Sequence, residues 1–313
     1  MRLFLWLLVF LLLVVGVGLV VWTRAQVSRI LAEHPPTGVI SNAAGGSLHY
    51  RHVKAADGSK VPILFIHGAS GNLLDPFHAF QPVLEGKREL LFVDRPGHGF
   101  SPRLTSETPA LQAARYVQLL DALKIKQVVL VGHSLGSASV AAFAVLYPDR
   151  VKGLVFLAPA THPWPTGVDW YYDLGSTPLV ARLFTEALTL PVGMLRIESG
   201  ARGVFAPNPA PADYAQKTAV KLVLRPETFR ANARDVAGLN AFVEEFSKRY
   251  NEITAPTVVI TGDKDDVVAP SIHSVGLERD IKGAELIVLP GVGHKPDYVA
   301  TQTVLEAIEK VSG

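Results

Sequence analysis

Three kinds of hydrophobic pattern follow one another along this chain. The first is one run, Leu3 to Trp22, of twenty uncharged residues that are mostly Leu and Val. As a helix it would extend about 30 Å, the thickness of a bilayer's hydrocarbon core, which predicts a transmembrane span. A cleaved signal peptide is the competing reading, but its apolar region is normally about 7–15 residues. A weak cleavage-like triplet, Thr23-Arg24-Ala25, does follow the run. Arg2 before the span and Arg24 and Arg29 after it nearly balance, so charge leaves the side of the membrane open.

The second pattern alternates short apolar runs with stretches of helical spacing. Val61 to Ile66, Glu89 to Val93, Gln127 to Val131, Val151 to Ala160, Thr257 to Thr261 and Ala284 to Leu289 read as buried strands. Leu73 to Leu84, Pro109 to Leu123 and Ser137 to Leu146 read as helices between them. Val39-Ile40 and Ser47 to Val53 predict a hairpin around Ala43-Ala44-Gly45-Gly46. Continuous apolar strands alternating with helices predict an α/β fold with a mostly parallel sheet covered on both faces. Right-handed crossovers then bring the loops after the strands to one edge, where residues far apart in sequence converge.

The third pattern, from residue 161 to about 236, breaks the alternation with eight prolines between short helical pieces, such as Leu179 to Leu190 and Ala212 to Leu224. It is rich in aromatic residues. Trp164, Trp170, Tyr171, Tyr172, Phe184 and Phe205 either pack this segment on the rest of the chain or line an apolar pocket, with Trp164, Trp170, Tyr171 and Phe184 as the expected pocket residues. The domain plan is therefore 1–23 membrane anchor, 24–38 connector, 39–160 first part of the core, 161–236 inserted helical segment, and 237–313 second part of the core.

Composition removes several classes of function. A net charge of +2, with no Lys/Arg run, gives nucleic acid nothing to bind. The absence of cysteine excludes disulfides and thiolate zinc sites. Asp263, Asp265 and Asp266 cluster without the spacing of a calcium loop, and Gly97-His98-Gly99 lacks the helix and lysine of a phosphate loop, so no metal or cofactor is expected.

The chemistry centres on Gly132-His133-Ser134-Leu135-Gly136, between a predicted strand and a predicted helix. A serine on so sharp a turn projects its hydroxyl above the sheet edge, and crowding requires small residues two before and two after it. The backbone N–H of Leu135 then points to where an acyl oxyanion would form. A serine hydroxyl needs a base. Among the ten histidines, His294 follows the last strand inside Gly291-Val292-Gly293 and comes last in the chain, as the order Ser, Asp, His requires. His133, His67 and His98 read as structural.

Phe65-Ile66-His67-Gly68-Ala69-Ser70-Gly71, Asp94-Arg95-Pro96-Gly97-His98-Gly99-Phe100-Ser101, the Gly132–Gly136 elbow, Gly262-Asp263-Lys264-Asp265 and Gly291-Val292-Gly293-His294 occur in the order of the α/β-hydrolase family. Over roughly residues 39–313 the chain resembles that family. The resemblance implies that residues 161–236 are a helical cap, that Ala69 supplies the second oxyanion N–H, and that Asp265 is the acid in a Gly-x-x-Asp pattern. Serine at the elbow, not aspartate, separates it from the epoxide hydrolase and dehalogenase branches. The missing His-Gly-Gly-Pro-Gly run argues against a proline iminopeptidase. The expected function is a membrane-tethered serine hydrolase that cleaves apolar carboxylic esters without a cofactor. The same triad in related families serves C–C, lactone and amide hydrolysis and acyl transfer. A non-catalytic, membrane-anchored binding protein on this scaffold is the rival from another class.

Overall fold

The structure is a computed structural model that describes residues 1–41, 46–55, 60–103 and 107–313. Its sheet is built from β1 (Val39–Ile40), β2 (His49–Val53), β3 (Ile63–Ile66), β4 (Leu90–Val93), β5 (Val128–His133), β6 (Val151–Leu157), β7 (Thr257–Gly262) and β8 (Glu285–Leu289), in the order β1-β2-β4-β3-β5-β6-β7-β8. β1 and β2 pair antiparallel, and the strands from β4 to β8 are parallel. The predicted β1–β2 pairing is present; three residues of its turn, Ala43 to Gly45, lie outside the described residues.

The parallel strands β3 to β7 are mostly apolar on both faces because both are covered; β8, expected to be buried, lies at the sheet edge and is only half-buried, with Val288 exposed. Leu64, Ile66, Leu91, Leu130 and Phe156 face one cluster, beneath α3 (Pro109–Ala122), α4 (Gly136–Leu146) and α10 (Pro270–Asp280). The alternate positions Ile63, Phe65, Phe92, Val131 and Val155 face the other, beneath α2 (Leu74–Leu84) and α12 (Thr301–Ser312). This period-two division explains why the strands read as continuous hydrophobic runs. A short helix, α11 (Pro296–Val299), links the end of the sheet to α12.

Between β6 and β7 the chain forms α5 (Trp170–Ser176), α6 (Pro178–Phe184), a π-helical turn (Thr185–Thr189), α7 (Leu190–Phe205), α8 (Tyr214–Lys217), a 3₁₀ turn (Val220–Leu224) and α9 (Pro226–Phe246). The helical piece expected at Leu179 to Leu190 is part of a longer path. Pro191 sits in the first turn of α7, where its missing N–H costs nothing, so the helix runs on to Phe205. The expected boundary at 236–237 falls inside α9. No breaker interrupts that helix, and Leu239 and Val243 pack against Leu135, Ala138 and Ala160 of the core.

α1 (Arg2–Glu33) corrects the expectation of a connector at 24–38, because the helix runs unbroken through Glu33. Buried Thr23 and Ile30, with partly buried Val27 and Leu31, keep a helical stripe beyond the apolar run, and nothing stops the helix before Pro35-Pro36. Ile30 joins Leu190, Ala219, Leu222, Val223 and Leu224 in a small core, and Lys221 Nζ lies 3.2 Å from Glu33. A chain started near Thr37 would leave that core uncovered.

The elbow is a tight joint of the fold. A Cβ on Gly132 would meet Val140 Cγ2 at 2.7 Å, and one on Gly136 would meet the Ile66 carbonyl at 2.8 Å and the His67 carbonyl closer still. Gly136→Ala therefore forces β3 and α4 apart. We expect it to cost about 1–3 kcal/mol, the usual range for overpacking. Urea unfolding checks this, and a midpoint equal to wild type would show that the joint has slack.

Candidate active site

Ser134 sits between β5 and α4 at φ +52°, the left-handed region that the elbow requires. Three hydrogen bonds hold it there. The Ser134 N–H donates to the Leu157 carbonyl (2.9 Å), and the Ser134 carbonyl accepts from the N–H groups of Ser137 (3.0 Å) and Ala160 (3.1 Å). The loops after β5 and β6 are thereby locked together.

His294, on the loop after β8, places Nδ1 2.8 Å from Asp265 Oδ2, and both side chains are buried. The other carboxylate oxygen, Oδ1, accepts from the N–H groups of Val267 and Val268, each at 2.9 Å. Asp265 is thus fixed from both sides, and its Oδ2 holds one ring orientation of His294. The neighbouring acids behave differently. Asp263 Oδ1 accepts from the Gly291 N–H at 2.7 Å and shapes the loop that carries His294. Asp266 is exposed. Ser134 and His294 border one cavity of about 400 Å³, together with Ala69, His133, Tyr171, Tyr172, Val223 and Phe229. A second cavity, of about 620 Å³, opens beside Ser134, Ala69 and Leu135 and includes Trp164, Tyr171 and Val268. The residues expected to supply the two oxyanion N–H groups, Ala69 and Leu135, therefore both stand next to Ser134.

The four expected pocket aromatics divide. Trp164 and Tyr171 line cavities that reach Ser134. Trp170 and Phe184 do not. Trp170 is 67% exposed at the start of α5, and Phe184 meets the edges of Phe229 and Trp170. Adjacent residues at the start of a helix differ in direction by about 100°, so Trp170 and Tyr171 cannot both face inward. Tyr172, one of the cap aromatics though not named among the four pocket residues, and Phe229, which sequence reasoning did not single out, take the inner positions.

Buried polar side chains hold the surrounding loops. The Arg95 N–H donates to His67 Nε2 at 2.9 Å, so the His67 Nδ1–H donates to the Gly68 carbonyl, also at 2.9 Å. Asn232 of α9 reaches across to the oxyanion loop, accepting from the Ser70 N–H at 2.7 Å and donating to Ser70 Oγ at 3.0 Å. Ser70 is another left-handed residue, at φ +56°. Asp94 draws three segments together, accepting from the Leu73 and Phe100 N–H groups and standing 2.6 Å from His49 Nδ1. His133, beside the nucleophile in sequence, turns away from it, and its Nε2–H donates to the His294 carbonyl at 2.9 Å.

Lys295 was invisible to motif reasoning. It is buried beside His294, 2.8 Å from Asp75 and 2.9 Å from Asp297, while the Tyr214 hydroxyl donates to Asp75 at 3.0 Å. Burial alone would lower the Lys295 pKa, but Asp297 and Asp75 outweigh it and raise it. This knot joins α2, α8, α11 and the His294 loop.

Burial holds His67, His98 and His133 well below the usual histidine pKa, with Arg95 reinforcing the effect at His67 and His98 and Lys295 at His133. His273 falls to about 4, again mainly through burial. All are neutral in the native protein. Above pH ~6.5 the unfolded chain holds them neutral too. Below it the unfolded chain takes up protons that the native state cannot, so stability is lost as pH falls towards the native values. We expect the melting temperature to be flat between about pH 7 and 8 and to drop below pH ~6.5, as stability falls by about 1.4 kcal/mol per pH unit for each of the four histidines that stays neutral. A melting temperature unchanged down to about pH 5 would contradict it.

Comparison with known proteins gives one consistent family. The profile of the alpha/beta hydrolase fold matches residues 61–297. An uncharacterized hydrolase, YcgS of Bacillus subtilis (strain 168), is 33% identical over 262 residues, covering 80% of this chain and 89% of its own. Lipase 1 of Psychrobacter immobilis is 27% identical over 262 residues, covering 79% and 78%. A 2-hydroxy-6-oxononadienedioate/2-hydroxy-6-oxononatrienedioate hydrolase of Cupriavidus pinatubonensis is 28% identical over 223 residues, covering 68% and 72%.

Proposed function

The chain belongs to the α/β-hydrolase family, and within it we propose that it is a serine hydrolase of apolar carboxylic esters, held at a membrane by its N-terminal helix. The observation that carries the reading is the buried His294–Asp265 pair at 2.8 Å, sharing a cavity with a left-handed Ser134.

In this mechanism Ser134 Oγ attacks the acyl carbonyl while His294 Nε2 takes its proton. Asp265 accepts the Nδ1–H, keeps the ring in the tautomer whose Nε2 is free, and stabilises the imidazolium. The oxyanion is received by the N–H groups of Ala69 and Leu135, which are fixed before substrate arrives, so little reorganisation opposes the reaction. His294 returns the proton to the leaving alcohol, and water, activated by the same histidine, releases the acid from Ser134. Val204, Val223, Leu224 and Phe229 give the cavity an apolar wall suited to an acyl chain. The anchor reading is supported by the length and composition of Leu3 to Trp22, which stands exposed along most of its length.

A fluorophosphonate probe and a panel of esters, lactones, amides and vinylogous C–C substrates test the reading. Ser134 should be labelled rapidly, and carboxylic esters should turn over faster than lactones, amides or C–C substrates. Failure to label would favour a binding protein, and a strong preference for another bond would replace the ester assignment.

Ser134→Ala should abolish labelling and lower ester turnover by several powers of ten with the melting curve unchanged; residual catalysis from the oxyanion hole can remain. Asp265→Asn should cost about 10⁴ in kcat by favouring the wrong tautomer of His294. Asp263→Asn keeps an oxygen for the Gly291 N–H, and Asp266→Asn alters an exposed side chain, so both should cost far less. Measured kcat for the three aspartate variants decides the acid. If Asp265→Asn is the mildest, the assignment fails.

A further inference from the structure

Among the described residues outside α1, large apolar side chains are exposed mostly singly, except at one corner of the cap. There Trp170, Leu183, Leu188, Val192 and Leu195 stand close in sequence on α5, α6, the π-helical turn and α7, with Leu183 71% and Leu195 84% exposed. A soluble protein rarely leaves such a patch uncovered.

What lies beside it identifies its partner. The π-helical turn packs on α1, and Arg24 Nε is 3.7 Å from Glu186 within that turn. The side of α1 shielded by the protein begins inside the apolar run. Leu19 and Val20 are half-buried and Thr23 is fully buried, one helical stripe. At 1.5 Å per residue, Leu19 to Thr23 is about 6 Å of helix. The body of the protein therefore overlaps the last turn of the run. If Leu3 to Trp22 fills the hydrocarbon core, whatever packs on Leu19 to Thr23 lies at the depth reached by interfacial helices, roughly 5–10 Å below the headgroups. Exposed Arg182 and Arg196 flank the patch, with long stems that can carry their charge to the headgroup layer. An exposed tryptophan is the aromatic residue most at home in that layer.

We propose that this corner of the cap, from α5 to the first turns of α7, lies in the interfacial layer of the bilayer that α1 crosses, with Leu183, Leu188, Val192 and Leu195 against acyl chains. The proposal rests on reading α1 as an anchor and adds to it a fixed orientation of the catalytic domain. α7 then has lipid on one face, while Gly193, Ile197 and Gly200 on the other line the cavity of Ser134. One helix separates the bilayer from the nucleophile, so the substrate class that this arrangement serves is esters resident in the membrane.

The chain contains no cysteine, which makes the test direct. Full-length Leu183→Cys and Leu195→Cys, with Val275→Cys of α10 and Leu111→Cys of α3 as controls, are labelled with a nitrobenzoxadiazole fluorophore and reconstituted in phosphatidylcholine vesicles containing spin-labelled phosphatidylcholine. Labels at 183 and 195 should be strongly quenched and blue-shifted, and the controls should not. In parallel, Leu183→Glu/Leu195→Glu should lower turnover of a vesicle-borne ester by about tenfold or more, the factor expected when buried leucines are lost from an apolar phase. Turnover of a water-soluble ester should stay as in wild type. Retention of the protein after alkaline carbonate washing reports the anchor separately. Retained protein with labels at 183 and 195 no more quenched than the controls overturns this proposal and leaves the anchor standing. Release by carbonate removes the anchor and the proposal with it. Cross-linking of Leu195→Cys between two chains, without lipid quenching, assigns the face to a second copy and also overturns it.

Discussion

The structure depends on one strained residue. Ser134 is held left-handed, a conformation that costs a residue with a side chain about 1–2 kcal/mol. It survives because the neighbouring backbone leaves no alternative. β6 accepts its N–H, α4 and the loop after β6 bond its carbonyl, and Gly132 and Gly136 allow α4 to press against the carbonyls at the end of β3. The same contact sets Ala69 beside the serine, because the oxyanion loop starts where β3 ends under α4. The positions of Ser134 and of the Ala69 loop are therefore two consequences of one packing joint.

The other loops at that sheet edge combine close glycine contacts, such as Gly262 against the Val292 carbonyl, with buried hydrogen bonds. His67, Arg95, Asn232 and Asp94 each tie segments distant in sequence, and all are buried. A buried polar group left unpaired would cost about 1–3 kcal/mol, so each of these hydrogen bonds holds its loop against a sizeable penalty. Lys295 does the same for the His294 loop with two carboxylates. Removing a single partner from such a knot strands charge in the interior, which makes it a rigid support. His133 adds a direct strut between the elbow and the His294 carbonyl. The proposed active site is thus tightly held, which would suit a reaction catalysed by donors fixed in advance.

α1 and the cap form a second unit with a different logic. The helix is a rigid rod whose last turns are built into the cap by Ile30 and by the pairs Arg24–Glu186 and Lys221–Glu33. A rod rooted in this way transmits orientation, where a flexible linker would set only distance. The cap in turn supplies Phe229, Tyr172 and the inner face of α7 to the cavity.

By itself the sequence determined everything that rests on local rules. The strands were legible because burial on both faces leaves continuous apolar runs. The elbow was legible because its glycines are a steric necessity, while Asp265 was indicated only by the family's Gly-x-x-Asp pattern; the structure places it 2.8 Å from His294. Only the tertiary structure decided the rest. That α1 continues to Glu33, that α9 crosses the expected boundary and that Trp170 faces outward while Tyr172 and Phe229 face in all depend on which surface a neighbouring helix covers. So does the knot of Lys295, Asp75 and Asp297, whose members carry no motif and meet only after the chain has folded. A local pattern records what one segment requires of any partner. It does not record which partner arrives, because packing contacts are chosen by shape across the whole chain.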